Sequence, residues 1–210
     1  MILALLLACG TAEPEPEPAS DGDLGAAAAS ETAEAAAVVA TVRPRRRMNV
    51  DQLSASIEVA TGERWRELDE TGAQVELFER LSGSLGKPDF LDSTAEDLSP
   101  GLLYQKFLSD AANATCYDML RAEAERDPDD RLLVVDSDLF GLPQDDPEGT
   151  NADLQRALLR FHGRSLDADA EELELWRWLL DEATAQTGEA SRGWRSVCVA
   201  LITHPDFSSF

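Results

Sequence analysis

The sequence predicts an all-α fold, a single irregular bundle of about six helices behind a disordered N-terminal tether. Three observations predict it. Apolar residues recur at helical spacing from Leu53 to Ile202. Prolines, glycines and capping residues punctuate that pattern. Composition changes near position 43, where an Ala/Pro/Glu-rich stretch gives way to recurring large side chains. The chain has 210 residues and a formal net charge of −23.

Residues 1–8 are an apolar run, expected to be the h-region remnant of a signal peptide. It is well short of the roughly 20 apolar residues that a membrane span needs. Residues 9–42 hold the run Glu13-Pro14-Glu15-Pro16-Glu17-Pro18 and almost no large apolar side chain. Such a composition buries too little surface to offset ordering entropy, and alternating Pro and Glu extends a chain. A linker is expected there, and a helical domain over 43–210.

The domain opens on Arg43, Arg45, Arg46 and Arg47. Most of the acid excess lies after them, so nucleic acid would be repelled, and these arginines are expected to pair with acids of their own domain. Asn49 and Gln52 are spaced for a capping box, with Leu53, Ile57 and Ala60 on one face and Gly62 as the stop. Val75, Phe78, Leu81 and Leu85 predict a second helix, ended by Gly86 and Pro88. Ser99-Pro100 reads as a cap followed by Pro at the first helical position, opening a long helix through Leu103, Phe107, Ala111, Cys116 and Leu120. Residues 132–135 (Leu-Leu-Val-Val) read as an extended buried segment, and 136–150 as a loop. Leu154, Leu158 and Phe161 mark a helix closed by Gly163. Leu173, Trp176, Leu180 and Ala183 mark the next. Trp194, Val197, Cys198, Leu201 and Ile202 mark the last, which Pro205 cannot extend.

Constellations that could carry chemistry are few. Asp136, Asp138 and Gly141 begin like a calcium loop, but Phe140 and Pro147 hold the fifth and twelfth positions, so a solvated acidic loop is expected. A zinc site from Cys116, Cys198 and a histidine has no supporting spacing. His162 and His204 are expected at the surface or at helix ends, with His162 favoured as a cation by a helix C-terminus. Paired acids such as Asp129-Asp130 and Glu171-Glu172 read as solvated faces. No nucleophile elbow, phosphate-cradling loop or haem-attachment motif occurs. No metal, no cofactor and no catalytic residue is therefore expected. Trp176 and Trp194 fall on apolar faces. Trp178, two residues from Trp176, points elsewhere, and with Arg177 it is the candidate partner surface.

Leu6-Leu7-Ala8-Cys9 resembles the lipobox of bacterial lipoproteins, in which the cysteine becomes the lipid-bearing first residue of the mature protein. The resemblance implies lipid attachment at Cys9 and a protein anchored to the membrane rather than spanning it. Gly10 stands where Asp tends to retain such proteins at the inner membrane, so the outer membrane is expected. No basic residue precedes the apolar run, which points to a start codon upstream. Setting Cys9 aside leaves Cys116 and Cys198. An oxidising compartment would bridge them, closing a loop of roughly 80 residues worth roughly 4 kcal/mol. In a cytosolic protein the same two would be reduced core cysteines.

Three stretches resemble one further group. They are Arg45-Arg46-Arg47-Met48-Asn49 leading into Val50-Asp51-Gln52-Leu53, then Arg160-Phe161-His162-Gly163-Arg164-Ser165-Leu166 with Glu171-Glu172-Leu173, and the closing stretch from Trp194 through Cys198 to Pro205-Asp206-Phe207. They resemble domains of unknown function in secreted proteins of planctomycetes and myxobacteria, which often accompany c-type cytochrome modules. The resemblance implies an exported helical domain with a closing cysteine. It carries over no electron transfer, because the chain lacks CxxCH. The function expected is non-enzymatic: a tethered binding or scaffold module holding a protein partner near the envelope. The alternative is an accessory subunit of an envelope redox or hydrolytic complex.

Overall fold

The computed structural model describes residues 46–87, 91, 95–96, 98–99 and 101–209. The expectations for the lipobox at 6–9, the linker 9–42, Arg43, Arg45, Pro88 and Pro100 lie outside the described residues. The described residues are all-α apart from one hairpin. They form α1 (Val50–Thr61), β1 (Arg66–Leu68), β2 (Gln74–Glu76), α2 (Leu77–Leu81), α3 (Leu102–Glu125), α4 (Pro147–His162), α5 (Glu171–Thr187), α6 (Ala190–Thr203) and the one-turn α7 (Pro205–Ser208). A 3-10 turn, Ser82–Leu85, extends α2.

At α1 the capping box is complete. The Asn49 side chain accepts the Gln52 N–H, and the Gln52 side chain accepts the Asn49 N–H. Just upstream, Arg47 is buried. It donates to the carbonyl oxygens of Ser99, Met48 and Leu85 (3.1, 3.0 and 2.9 Å) and lies over the Tyr104 ring.

Val75, expected on a helix, lies in β2. One Asp69 carboxylate oxygen accepts the N–H groups of Thr71 and Ala73 (2.8 and 2.9 Å) and so closes the turn between β1 and β2. Local side-chain hydrogen bonds here override apolar spacing. The start of α3 is likewise displaced: Gly101 is its N-cap.

The predicted loop to Thr150 is shorter than expected. Asp146 caps α4 by accepting the Gly149 N–H at 3.0 Å, and Pro147 takes the first helical position. The calcium-like acids face protein groups. Asp136 pairs with Arg156, and Asp138 accepts the Phe140 N–H at 3.0 Å.

The segment before α4 was expected to be extended; it is buried in part, but bends run through it at 132, 133 and 135–137, so that successive amides turn toward one acceptor. Leu133 and Val134 are fully buried. The Glu123 carboxylate on α3 accepts the N–H groups of Leu132, Leu133 and Val134 (2.7, 2.7 and 3.3 Å). The Asp153 carboxylate on α4 accepts those of Val135, Asp136 and Ser137 (2.9 Å each) and the Ser137 hydroxyl at 2.7 Å. Both acids are 0% exposed. A buried carboxylate is tolerated when its lone pairs are occupied, and six main-chain donors occupy these.

Helix α6 is central, packed against α5 and α3. Gly193 permits the close approach to α5: a Cβ there would sit 3.1 Å from the Leu180 carbonyl oxygen and overlap the Thr184 hydroxyl. Trp194, Val197, Leu201 and Ile202 of α6 join Leu108 and Met119 of α3 and Leu173 and Leu180 of α5 in one core. Cys116 of α3 and Cys198 of α6 stand at disulfide distance, with Cα atoms 5.9 Å apart. Their sulfurs face each other, so the zinc arrangement of two cysteines and a histidine is not formed.

Candidate functional site

Along the outer side of α5, where it meets the end of α6, the apolar pattern does not finish in the core. Leu175 and Trp178 are 65% and 64% exposed. With Trp176, Leu179, Ala200, Thr203, His204 and Pro205 they line an open groove of about 670 Å³. Trp176 is partly buried against the core, and Trp178 lines the same groove rather than pointing away from it. Arg177 does turn away, donating from Nε to Asn151 Oδ1 at 2.7 Å on α4. Exposed Glu171 and Glu174, with Glu172, make the first turn of α5 acidic.

Behind the tryptophans lies a pair of imidazoles. His162 is the last residue of α4. Gly163, at φ +65°, ends that helix in the left-handed conformation, which favours glycine. His204 sits at the break between α6 and α7, where Pro205 opens the next turn. The ring centroids of His162 and His204 are 4.9 Å apart, and the His162 ring is 5.9 Å from that of Trp176.

The two histidines differ in their bonding. His162 Nε2 donates to the Leu201 carbonyl oxygen at 2.9 Å. Its Nδ1 is buried and has no hydrogen-bond partner. Burial pushes the His162 pKa down, outweighing the Leu201 carbonyl, which raises it. The ring is therefore favoured neutral, where a helix C-terminus led to the expectation of positive charge. His204 Nδ1 accepts the Asp206 N–H at 3.2 Å and so caps α7.

Charges complete the edge of the site. Arg164 holds Glu172 through both guanidinium nitrogens (2.7 and 2.6 Å) and reaches Asp206 at 3.5 Å. One ligating atom from each of His162, His204 and Asp206 lies within 4.8 Å of the others. Among the described residues this is the group of donors able to hold a metal ion.

A second depression, of about 490 Å³, is lined by Tyr117, Arg121, Arg192 and Arg195 among others. Its cations are engaged. Arg121 pairs with Asp118, Arg192 with Glu189, and Arg195 lies over Tyr117 while donating to the Asn113 carbonyl oxygen.

The sequence singled out Trp178 but not the His162–His204–Asp206 cluster. Each histidine carries only a helix-end signature, His-Gly or His-Pro, and the packing of α4 against α6 and α7 brings them together. Comparison with protein families, with curated proteins and with solved structures found no match for this chain.

Proposed function

We propose that this chain is a non-enzymatic lipoprotein of the bacterial outer membrane, anchored through Cys9, whose helical domain holds a protein partner in the groove of α5 and α6. The carrying observation is the pair of large apolar side chains, Leu175 and Trp178, left exposed beside a partly buried tryptophan. Contiguous exposed apolar surface with an aromatic anchor is the usual make-up of a protein-binding patch. The occupant is an apolar segment flanked by Lys or Arg, because the groove adjoins the acidic first turn of α5 in a chain of net charge −23. The Cys116–Cys198 pair at disulfide distance agrees with an exported domain whose two cysteines are oxidised.

The test uses the full chain as bait in native membranes, with the contacted segment mapped by cross-linking and mass spectrometry. Wild type is expected to retain one protein through an apolar, basic-flanked segment. Trp178→Glu is expected to weaken that retention by more than about tenfold. Equal retention by Trp178→Glu, an acidic contact segment, or a second copy of the chain as sole occupant would overturn the proposal. A haem protein in the eluate would make this chain the accessory subunit of a redox complex. Anchoring is tested separately: Cys9→Ser should move the chain to the soluble fraction, and its remaining with the membrane contradicts the lipid anchor.

A further inference from the structure

We infer that His162, His204 and Asp206 form a binding site for a single divalent transition-metal ion of the zinc type, set at the inner edge of the groove. The inference does not depend on the docking proposal.

Three observations carry it. The first is the donor set. Two imidazoles and one carboxylate, from the end of α4 and from the break between α6 and α7, place one ligating atom each within 4.8 Å of one another. Such mixed nitrogen and oxygen donors suit zinc and its neighbours, whereas calcium and magnesium take oxygen donors.

The second observation is the state of His162. A carbonyl oxygen can only accept, so the contact with Leu201 places the imidazole proton on Nε2. Nδ1 is left as a lone pair, buried and unpartnered. A buried acceptor without a donor is costly. A metal-ligating histidine commonly donates its other ring N–H to a main-chain carbonyl, which fixes the tautomer and the ring orientation. His162 already has that arrangement.

The third observation is access. The His204 side chain is 42% exposed and lines the groove, so an ion reaches the cluster from solvent. Arg164 does not block it, since its two short contacts go to Glu172 and Asp206 is the longer one at 3.5 Å. Three protein ligands leave a position of a tetrahedral ion open, as in zinc sites that keep a water or a small ligand. Binding tightens His204 and Asp206 around the ion, and where His204 coordinates through Nδ1 it replaces the 3.2 Å cap on α7.

The experiment is calorimetric titration of the chelator-treated full chain with Zn²⁺ alone, followed by the visible spectrum with Co²⁺. One ion per chain is expected. His162→Ala, His204→Ala and Asp206→Asn should each weaken Zn²⁺ binding by more than about tenfold. His204 is partly exposed, so its variant reports on binding even where His162→Ala fails to fold. Cys9→Ser and the double variant Asp129→Asn/Asp130→Asn, which alter a thiol and acids elsewhere, should bind as wild type. The inference is overturned by no saturable binding, by unchanged affinity in His204→Ala and Asp206→Asn, or by loss of binding in either control variant.

Discussion

Two regions of this domain handle unusual polar groups in opposite ways. Between α3 and α4, two fully buried carboxylates, Glu123 and Asp153, are surrounded by donors, and the segment they hold buries Leu133 and Val134 completely. On the groove side of α5 and α6, a buried imidazole nitrogen has no partner and two large apolar side chains face solvent. The first region is closed: its two buried carboxylates are matched by main-chain amides of the same chain. The second leaves both polar and apolar valences for something else. If the proposed docking holds, stability belongs to the first region and recognition to the second, and substitutions in the two should separate accordingly.

The largest effect is expected at the closed region. Asp153→Ala strands three main-chain N–H groups and the Ser137 hydroxyl, and releases Arg156 from its contact with Asp153. A loss of about 3–5 kcal/mol is expected in chemical denaturation. A loss below about 1 kcal/mol would show that these bonds are dispensable.

Gly193→Ala is next. The added Cβ meets the Leu180 carbonyl and the Thr184 hydroxyl, both on α5, so α5 and α6 must part. Overpacking of this kind costs about 1–3 kcal/mol. The variant also reaches the groove, because a shifted α5 moves Trp176 and Trp178. Partner capture should fall together with the melting temperature.

A subtler effect concerns Glu123. Burial pushes its carboxyl above the usual glutamate range, and its three amide partners pull it back only in part. A carboxyl with a raised folded-state pKa binds its proton more tightly folded than unfolded. Its contribution is therefore fully present below the unfolded value, about 4.3, and is lost as pH rises through the folded value. Glu123→Gln removes that slope. Measured as variant minus wild type, stability should shift in the variant's favour as pH is raised from about 4 toward neutrality. A shift in the opposite direction would mean that the three amides, not burial, dominate.

The smallest stability change is expected on the open side. Trp178→Ala should alter stability by no more than about 0.5 kcal/mol while abolishing partner capture. A larger destabilisation would place Trp178 in the structural region and erase the contrast.

The ease of reading these features in the sequence follows the range of the interactions behind them. The α1 cap was legible because Asn49 and Gln52 are three residues apart and serve each other. The helices of the bundle were legible because Leu154, Leu158, Leu173 and Leu180 repeat at helical spacing. The hairpin was not, since Val75 fits a helical face until the Asp69 turn competes with it. The start of α4 was hidden inside an acidic stretch, although Asp146-Pro147 is a sound helix opening. Glu123 and Asp153 resemble the solvated acids around them, because their partners are main-chain amides that no residue type marks. In the groove, Trp178 was singled out for falling two places from Trp176, an offset expected to turn it elsewhere, yet both line the same groove. His162 could not be linked to His204 and Asp206, because only the packing of α4 against the α6–α7 break brings it to them.

The central claim is that the working surface of this domain is the groove of α5 and α6. Photo-crosslinking in native membranes tests it most directly, with a probe residue placed in turn at Leu175, Trp178, Val59 and Tyr117, all exposed. The account predicts that probes at 175 and 178 capture the same protein and that probes at 59 and 117 do not. Equal capture from all four positions, or capture only from 59 or 117, would contradict it.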